Sequence, residues 1–150
     1  MIKNPFILRL AFLLSLFIIY LSSCRSHQLT SQADADTGRQ VIFGSGGGFS
    51  GQVIEYTLLE NGQLSRTNSL SKEKIILKAL PKKEAQSYFE QAEQLHLGTM
   101  NFKHPGNLYY FIRLKKGEKA EEVLWGNTDH PVPAQVRALY ESLENDAAQK

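Results

Sequence analysis

The chain has 150 residues, 17 basic and 15 acidic, for a formal charge of +2, with a single cysteine. One cysteine excludes an intramolecular disulfide or a cysteine metal cluster. A near-balanced mixed charge lacks the clustered Lys and Arg of a phosphate-binding surface, so nucleic acid is not an expected partner.

Lys3 and Arg9, with no acid among them, precede an apolar run from Leu10 to Leu21 that only Ser15 and Tyr20 interrupt. Its 12 residues fall short of the about 20 that cross a bilayer, and the arrangement is that of an export signal. Ser22 and Ser23 then lead to Cys24. Leu21-Ser22-Ser23-Cys24 resembles the lipobox of bacterial lipoproteins. The resemblance implies diacylglyceryl transfer to the Cys24 sulfur, cleavage of residues 1–23, and attachment to the cell envelope through lipid. Two or more acyl chains hold a protein on a membrane, so the domain itself needs no apolar anchor. Lys3 and Arg9 would leave with the leader, so that 15 basic residues face 15 acidic ones in the mature chain.

Residues 24–39 are polar and poor in large apolar side chains, the composition of a tether that cannot offset its own ordering entropy. Residues 40–147 have the length of one domain.

Val41-Ile42-Phe43 is a short apolar run closed by glycines, and Gln52 to Glu60 alternates as a strand. Asn61-Gly62 suits a two-residue hairpin turn, since both residues tolerate positive φ, and Gln63 to Ser69 returns. Lys74-Ile75-Ile76-Leu77 reads as a further short strand or an apolar connection. Pro81 to Leu97 is predicted helical, with Ala85, Phe89, Ala92 and His96 on one stripe, Tyr88 and Leu95 widening it, and Gly98 ending it. At the helix end His96 is expected partly buried.

Leu108 to Leu114 alternates with period two, Lys116-Gly117-Glu118 is a turn, and Ala120 to Trp125 pairs back. Pro131 and Pro133 lead into a last helix striped by Val136, Leu139, Tyr140 and Leu143. The order ββαββα predicts an α+β two-layer sandwich: two hairpins merged into one antiparallel sheet, with two helices on one face.

Gly44 to Gly51 is the densest local motif. Gly46, Gly48 and Gly51 match dinucleotide-binding spacing, and with Val53 a kinase glycine loop, but Gln52 onward alternates as a strand where a helix is required. Neither HRD nor DFG occurs in the chain. The segment reads as a turn, bulge or close backbone crossing, with an anion-binding nest as the functional alternative. His27, His96, His104 and His130 lack ligand spacing, so no metal and no cofactor is expected. Asp129 and His130, with Ser45 or Ser50 as nucleophile, would form a hydrolase or transferase set, although Asp129 also suits a turn. Glu121 and Glu122 would point to opposite faces of a strand, so they form no carboxylate pair. Tyr109 and Phe111 would be a docking strip if outward and core if covered.

Phe43 to Phe49, Pro105 to Phe111 and Leu124-Trp125-Gly126 together resemble the landmarks of small lipoproteins of the Bacteroidota. That resemblance implies an envelope address and a small domain, and no mechanism. The expected function is therefore a non-enzymatic binding module, held at the membrane by lipid on Cys24, for an envelope protein or peptide. Gly46, Gly47, Gly48, Phe49, Tyr109 and Phe111 are its candidate contacts. The alternatives are the Asp129/His130 enzyme and an inhibitor that inserts a loop into an envelope enzyme.

Overall fold

A computed structural model describes residues 38–149, which belong to the second of two units into which the chain divides, residues 33–150. The leader at residues 1–23, Cys24 and nearly all of the tether lie outside the described residues. Strands β1 (Arg39–Gly47), β2 (Gln52–Leu59), β3 (Gln63–Asn68) and β4 (Lys74–Ala79) come first. Helices α1 (Lys82–Gln94) and α2 (Leu97–Met100) follow, then β5 (Lys103–His104), β6 (Leu108–Lys116), β7 (Lys119–Trp125) and α3 (Ala134–Ala148).

All strands of the described residues join one seven-stranded sheet in the order β4-β3-β2-β1-β6-β7-β5. Only β5 runs parallel to its neighbour, β7. The α+β two-layer architecture agrees with the expectation, with a different seam. The two hairpins never touch each other, because β1 lies between them and pairs antiparallel with β2 on one side and β6 on the other. The glycines that suggested a turn from Gly44 onward continue the strand as far as Gly47.

Period two sorts β1 cleanly. Val41, Phe43 and Ser45 share one face with Leu58, Tyr56 and Ile54 of β2 and with Leu114, Ile112 and Tyr110 of β6. Helices α1 and α3 cover that face, with Ala85, Tyr88, Phe89, Ala92, Val136, Leu139, Tyr140 and Leu143 joining the same core. Burying a large apolar side chain there contributes about 1.5–3 kcal/mol, and the 19 buried residues of this cluster carry the fold. Tyr88 binds the two helices together, its hydroxyl donating to Asp146 Oδ2 at 2.6 Å.

Several local expectations are corrected. The chain leaves β2 through Glu60, Asn61 and Gly62, and only Gly62 takes positive φ, at 90°. Its N–H donates to the Leu59 carbonyl at 2.9 Å, which makes a tight turn closed by a glycine bulge in place of a two-residue turn. Of the two readings of Lys74 to Leu77 the strand holds, running to Ala79 with a register shift opposite Leu64/Ser65. Helix α1 stops at Gln94, and His96, exposed with φ 49°, turns the chain, while Gly98 sits inside α2. The side chain of His96 is thus not partly buried.

Candidate functional site

The strand register gathers four chain segments at one end of the sheet: the β1–β2 tip at residues 48–51, the β3–β4 loop at 69–73, the loop at 105–107, and the chain after β7. The Ser69 N–H donates to the Val53 carbonyl at 2.9 Å, tying the second segment to the first. The Gly48 N–H donates to the Asn107 carbonyl at 2.8 Å, and the Gly51 N–H closes the tip on the Gly48 carbonyl at 3.3 Å. A Cβ on Gly47 would collide with the Asn107 carbonyl, one on Gly106 with Gly126, and one on Gly126 with Leu108. Three backbones cross here at contact distance, which is the close crossing the glycines suggested.

This packing fixes the tip and leaves its side chain bare. Phe49 is fully exposed, and at the same end of the sheet Leu108 retains 60% of its surface in solvent and Leu70 64%. Gly48 lies against Leu108, with a notional Cβ 3.1 Å from Leu108 Cδ2. Sequence reasoning found Phe49 and missed Leu108 and Leu70. In the sequence Leu108 shows only as the start of an alternating run, and its place opposite Gly47 comes from the register.

Tyr109 and Phe111 face away from the helices, yet they do not form an exposed strip. Phe111 is 4% exposed, and Tyr109 is half-buried over β1. At Gly46, opposite Tyr109 in the register, a Cβ would stand 2.6 Å from the Tyr109 hydroxyl oxygen. The aromatic ring therefore fills the space the glycine leaves. Farther along the same face Arg113 bonds Glu122 at 2.6 Å, reaches Glu55 of β2 at 3.7 Å across β1, and lies over the Phe111 ring at 5.6 Å.

The residues proposed for catalysis are not brought together. Ser45 faces the helices, within hydrogen-bonding reach of Tyr140. The Ser50 hydroxyl accepts from the Gln52 N–H at 3.3 Å. His130 stacks on His104 with ring centroids 4.1 Å apart and planes 13° apart. The Asp129 N–H donates to the Asn127 side-chain carbonyl at 2.8 Å, the turn arrangement its composition suggested. Beneath Ser45 lies an aromatic cluster in which Trp125 meets Tyr110 at 5.8 Å and Tyr140 at 5.2 Å. Burial first, then Glu144, pushes the Tyr140 hydroxyl well above the ordinary tyrosine range, so it remains a neutral hydrogen-bonding group. Glu121 and Glu122 point to opposite faces as expected: Glu121 Oε2 accepts from the Gly98 N–H at 3.3 Å, and Glu122 pairs with Arg113.

At the opposite end of β1, a shallow cavity of about 510 Å³ is lined by Arg39, Glu60, Asn61, Lys82, Gln86 and Phe89. Its charges are largely matched within the protein. Arg39 bonds Glu93 at 2.7 Å and Glu60 at 2.6 Å and lies over the Phe89 ring, while Lys116 meets Glu93 at 3.0 Å. Among the described residues no group of three or more His, Cys, Asp or Glu could hold a metal.

The fold and this end of the sheet define a class, a two-layer α+β domain that presents an apolar side chain on a glycine-rich hairpin. No protein-family model matches the chain, and no curated protein does.

Proposed function

We propose that the chain is a lipid-anchored protein of the bacterial cell envelope, exported by residues 1–23 and acylated at Cys24, whose domain binds a protein or peptide through the glycine-hairpin end. The observation that carries the binding reading is Phe49, fully exposed on a tip whose backbone is tied to Asn107. An immobilised backbone loses little entropy when its exposed aromatic is buried, which is the physical advantage of a preorganised anchor. Such anchors dominate interface energetics when they enter a partner's pocket, and Leu108, against Gly48, supplies apolar surface next to the tip. The stacking of His130 on His104 and the bond of the Ser50 hydroxyl to the Gln52 N–H support binding over the hydrolase alternative.

Two measurements test the two halves of the proposal. Cys24→Ser should move the protein out of the membrane fraction and abolish incorporation of a clickable fatty acid, and unchanged labelling would remove the anchor. A photoreactive phenylalanine analogue at position 49 should give one discrete crosslinked product in cells, absent when the analogue is placed at Ser71 in the neighbouring loop. Equal, diffuse products at both positions would remove the hairpin as the binding site.

A further inference from the structure

The two edges of the sheet differ. At one side β5 covers the end of β7 with only two residues. At the other, β4 is a six-residue strand that among the described residues pairs with β3 alone. Its outer N–H and C=O groups are a template for another extended chain.

The side chains around this edge select among partners. Between residues 72 and 84 stand five lysines and two glutamates. Thr67 faces Lys74 and Leu64 faces Lys78 in the register, so the two lysines flank the edge on opposite faces of the sheet. Lys72 precedes the strand, and Lys82 and Lys83 follow it. None of these five is ion-paired within the described residues, in contrast to Arg39, Lys103, Arg113 and Lys116. Between the two flanking lysines Ile76 keeps 58% of its surface exposed.

We propose that β4 is a strand-addition site for an extended, acidic polypeptide segment, with an apolar residue lying beside Ile76 and carboxylates beside Lys74 and Lys78. Backbone hydrogen bonds would supply the affinity and the lysines the selectivity, because opposite charges across a strand pair attract and like charges repel. The same lysines disfavour the self-pairing that an open edge invites. A second copy joining antiparallel through β4 would bring a second lysine-rich edge against the first. This site lies apart from Phe49 and does not depend on the hairpin's having a partner.

The test uses the full chain in neutral detergent and fluorescent decapeptides, read by anisotropy. A peptide repeating Glu-Glu-Val-Val, which carries glutamate and valine on both faces of an extended strand, should bind at least tenfold more tightly than one repeating Lys-Lys-Val-Val. N-methylation of every second backbone amide should weaken the acidic peptide at least tenfold. Lys74→Glu with Lys78→Glu should invert the preference at an unchanged melting temperature. If that pair unfolds the domain, Lys74→Gln with Lys78→Gln should still weaken the acidic peptide at least fivefold. Equal binding of the methylated peptide, or full competition by inorganic polyphosphate, would overturn the proposal, since only charge would then be recognised. A dimer in sedimentation that Ile76→Lys dissociates would also overturn it, by assigning the edge to a second copy.

Discussion

If the Tyr109 ring fills the space left by Gly46, the two positions must be energetically coupled. An alanine Cβ at Gly46 would stand 2.6 Å from the Tyr109 hydroxyl oxygen and 2.7 Å from Cζ, and 3.0 Å from Val53 Cγ2. A side chain can move away where a backbone cannot, so the expected response of Gly46→Ala is displacement of the ring. A tyrosine buries about 150–250 Å² when fully covered, and Tyr109 is only half-buried. The apolar area lost is therefore about 60–80 Å², or about 1.5–2 kcal/mol at ~25 cal/mol per Å². Alanine recovers about 0.5–1 kcal/mol over glycine in a strand, leaving Gly46→Ala destabilised by about 1 kcal/mol. Tyr109→Ala alone should cost about 2 kcal/mol. The double variant should be no less stable than Tyr109→Ala, a coupling of about 1–2 kcal/mol, readable in a double-mutant cycle. Equilibrium urea unfolding followed by Trp125 fluorescence measures all four proteins. Additivity within about 0.5 kcal/mol would refute the idea that the ring occupies the glycine's place.

Gly44→Ala should be worse than Gly46→Ala by about 1–3 kcal/mol, because its Cβ meets the Ile54 backbone carbonyl and no side-chain motion relieves the clash. Urea unfolding of the two variants checks the order. Phe49→Ser should leave stability within about 0.5 kcal/mol, since the side chain is fully exposed, and any larger loss in the same assay would mean that Phe49 packs against the domain. Burial first, and then the hydrogen bond to Asp146, raise Tyr88 above its ordinary pKa of 10.0. Its contribution is thus intact below pH 10 and is lost as pH rises beyond it, so Tyr88→Phe should flatten the alkaline fall of the melting temperature. Lys116 first, then Arg39, hold Glu93 below its ordinary 4.5. That contribution is present above pH 4.5 and fades as pH falls through the lowered value, and a melting temperature of Glu93→Gln with the wild-type acid dependence would refute it.

The elements with a clean period were legible in the sequence. Helix α1, strand β6 and the stripe of Val136, Leu139, Tyr140 and Leu143 follow from spacing alone, because each buries one face against one layer. Strand β1 was not, since glycine's preference for turns hides the alternation of Phe43 and Ser45 with Gly44 and Gly46. That alternation acquires meaning only when Tyr109, more than 60 residues away, supplies the missing bulk at Gly46. The hairpin tip was legible as a glycine cluster with one phenylalanine. Its neighbour Leu108, and the stacking of His104 on His130, come from segments that only the sheet register brings together.

The central place of β1 also has a mechanical side. This strand begins where the chain arrives from the N-terminal side and ends at the hairpin tip nine residues later. Were the proposed lipid anchor and a proposed partner on Phe49 to pull against each other, the tension would run lengthwise along a single strand. Ladders to β2 and β6 flank that strand along its length. Both loads would act on the ends of that one extended strand, so its covalent backbone would carry the pull and the ladders would be neither sheared nor unzipped. The middle of the sheet would act as the cable between tether and grip, and the helices and outer hairpins would remain off the line of force.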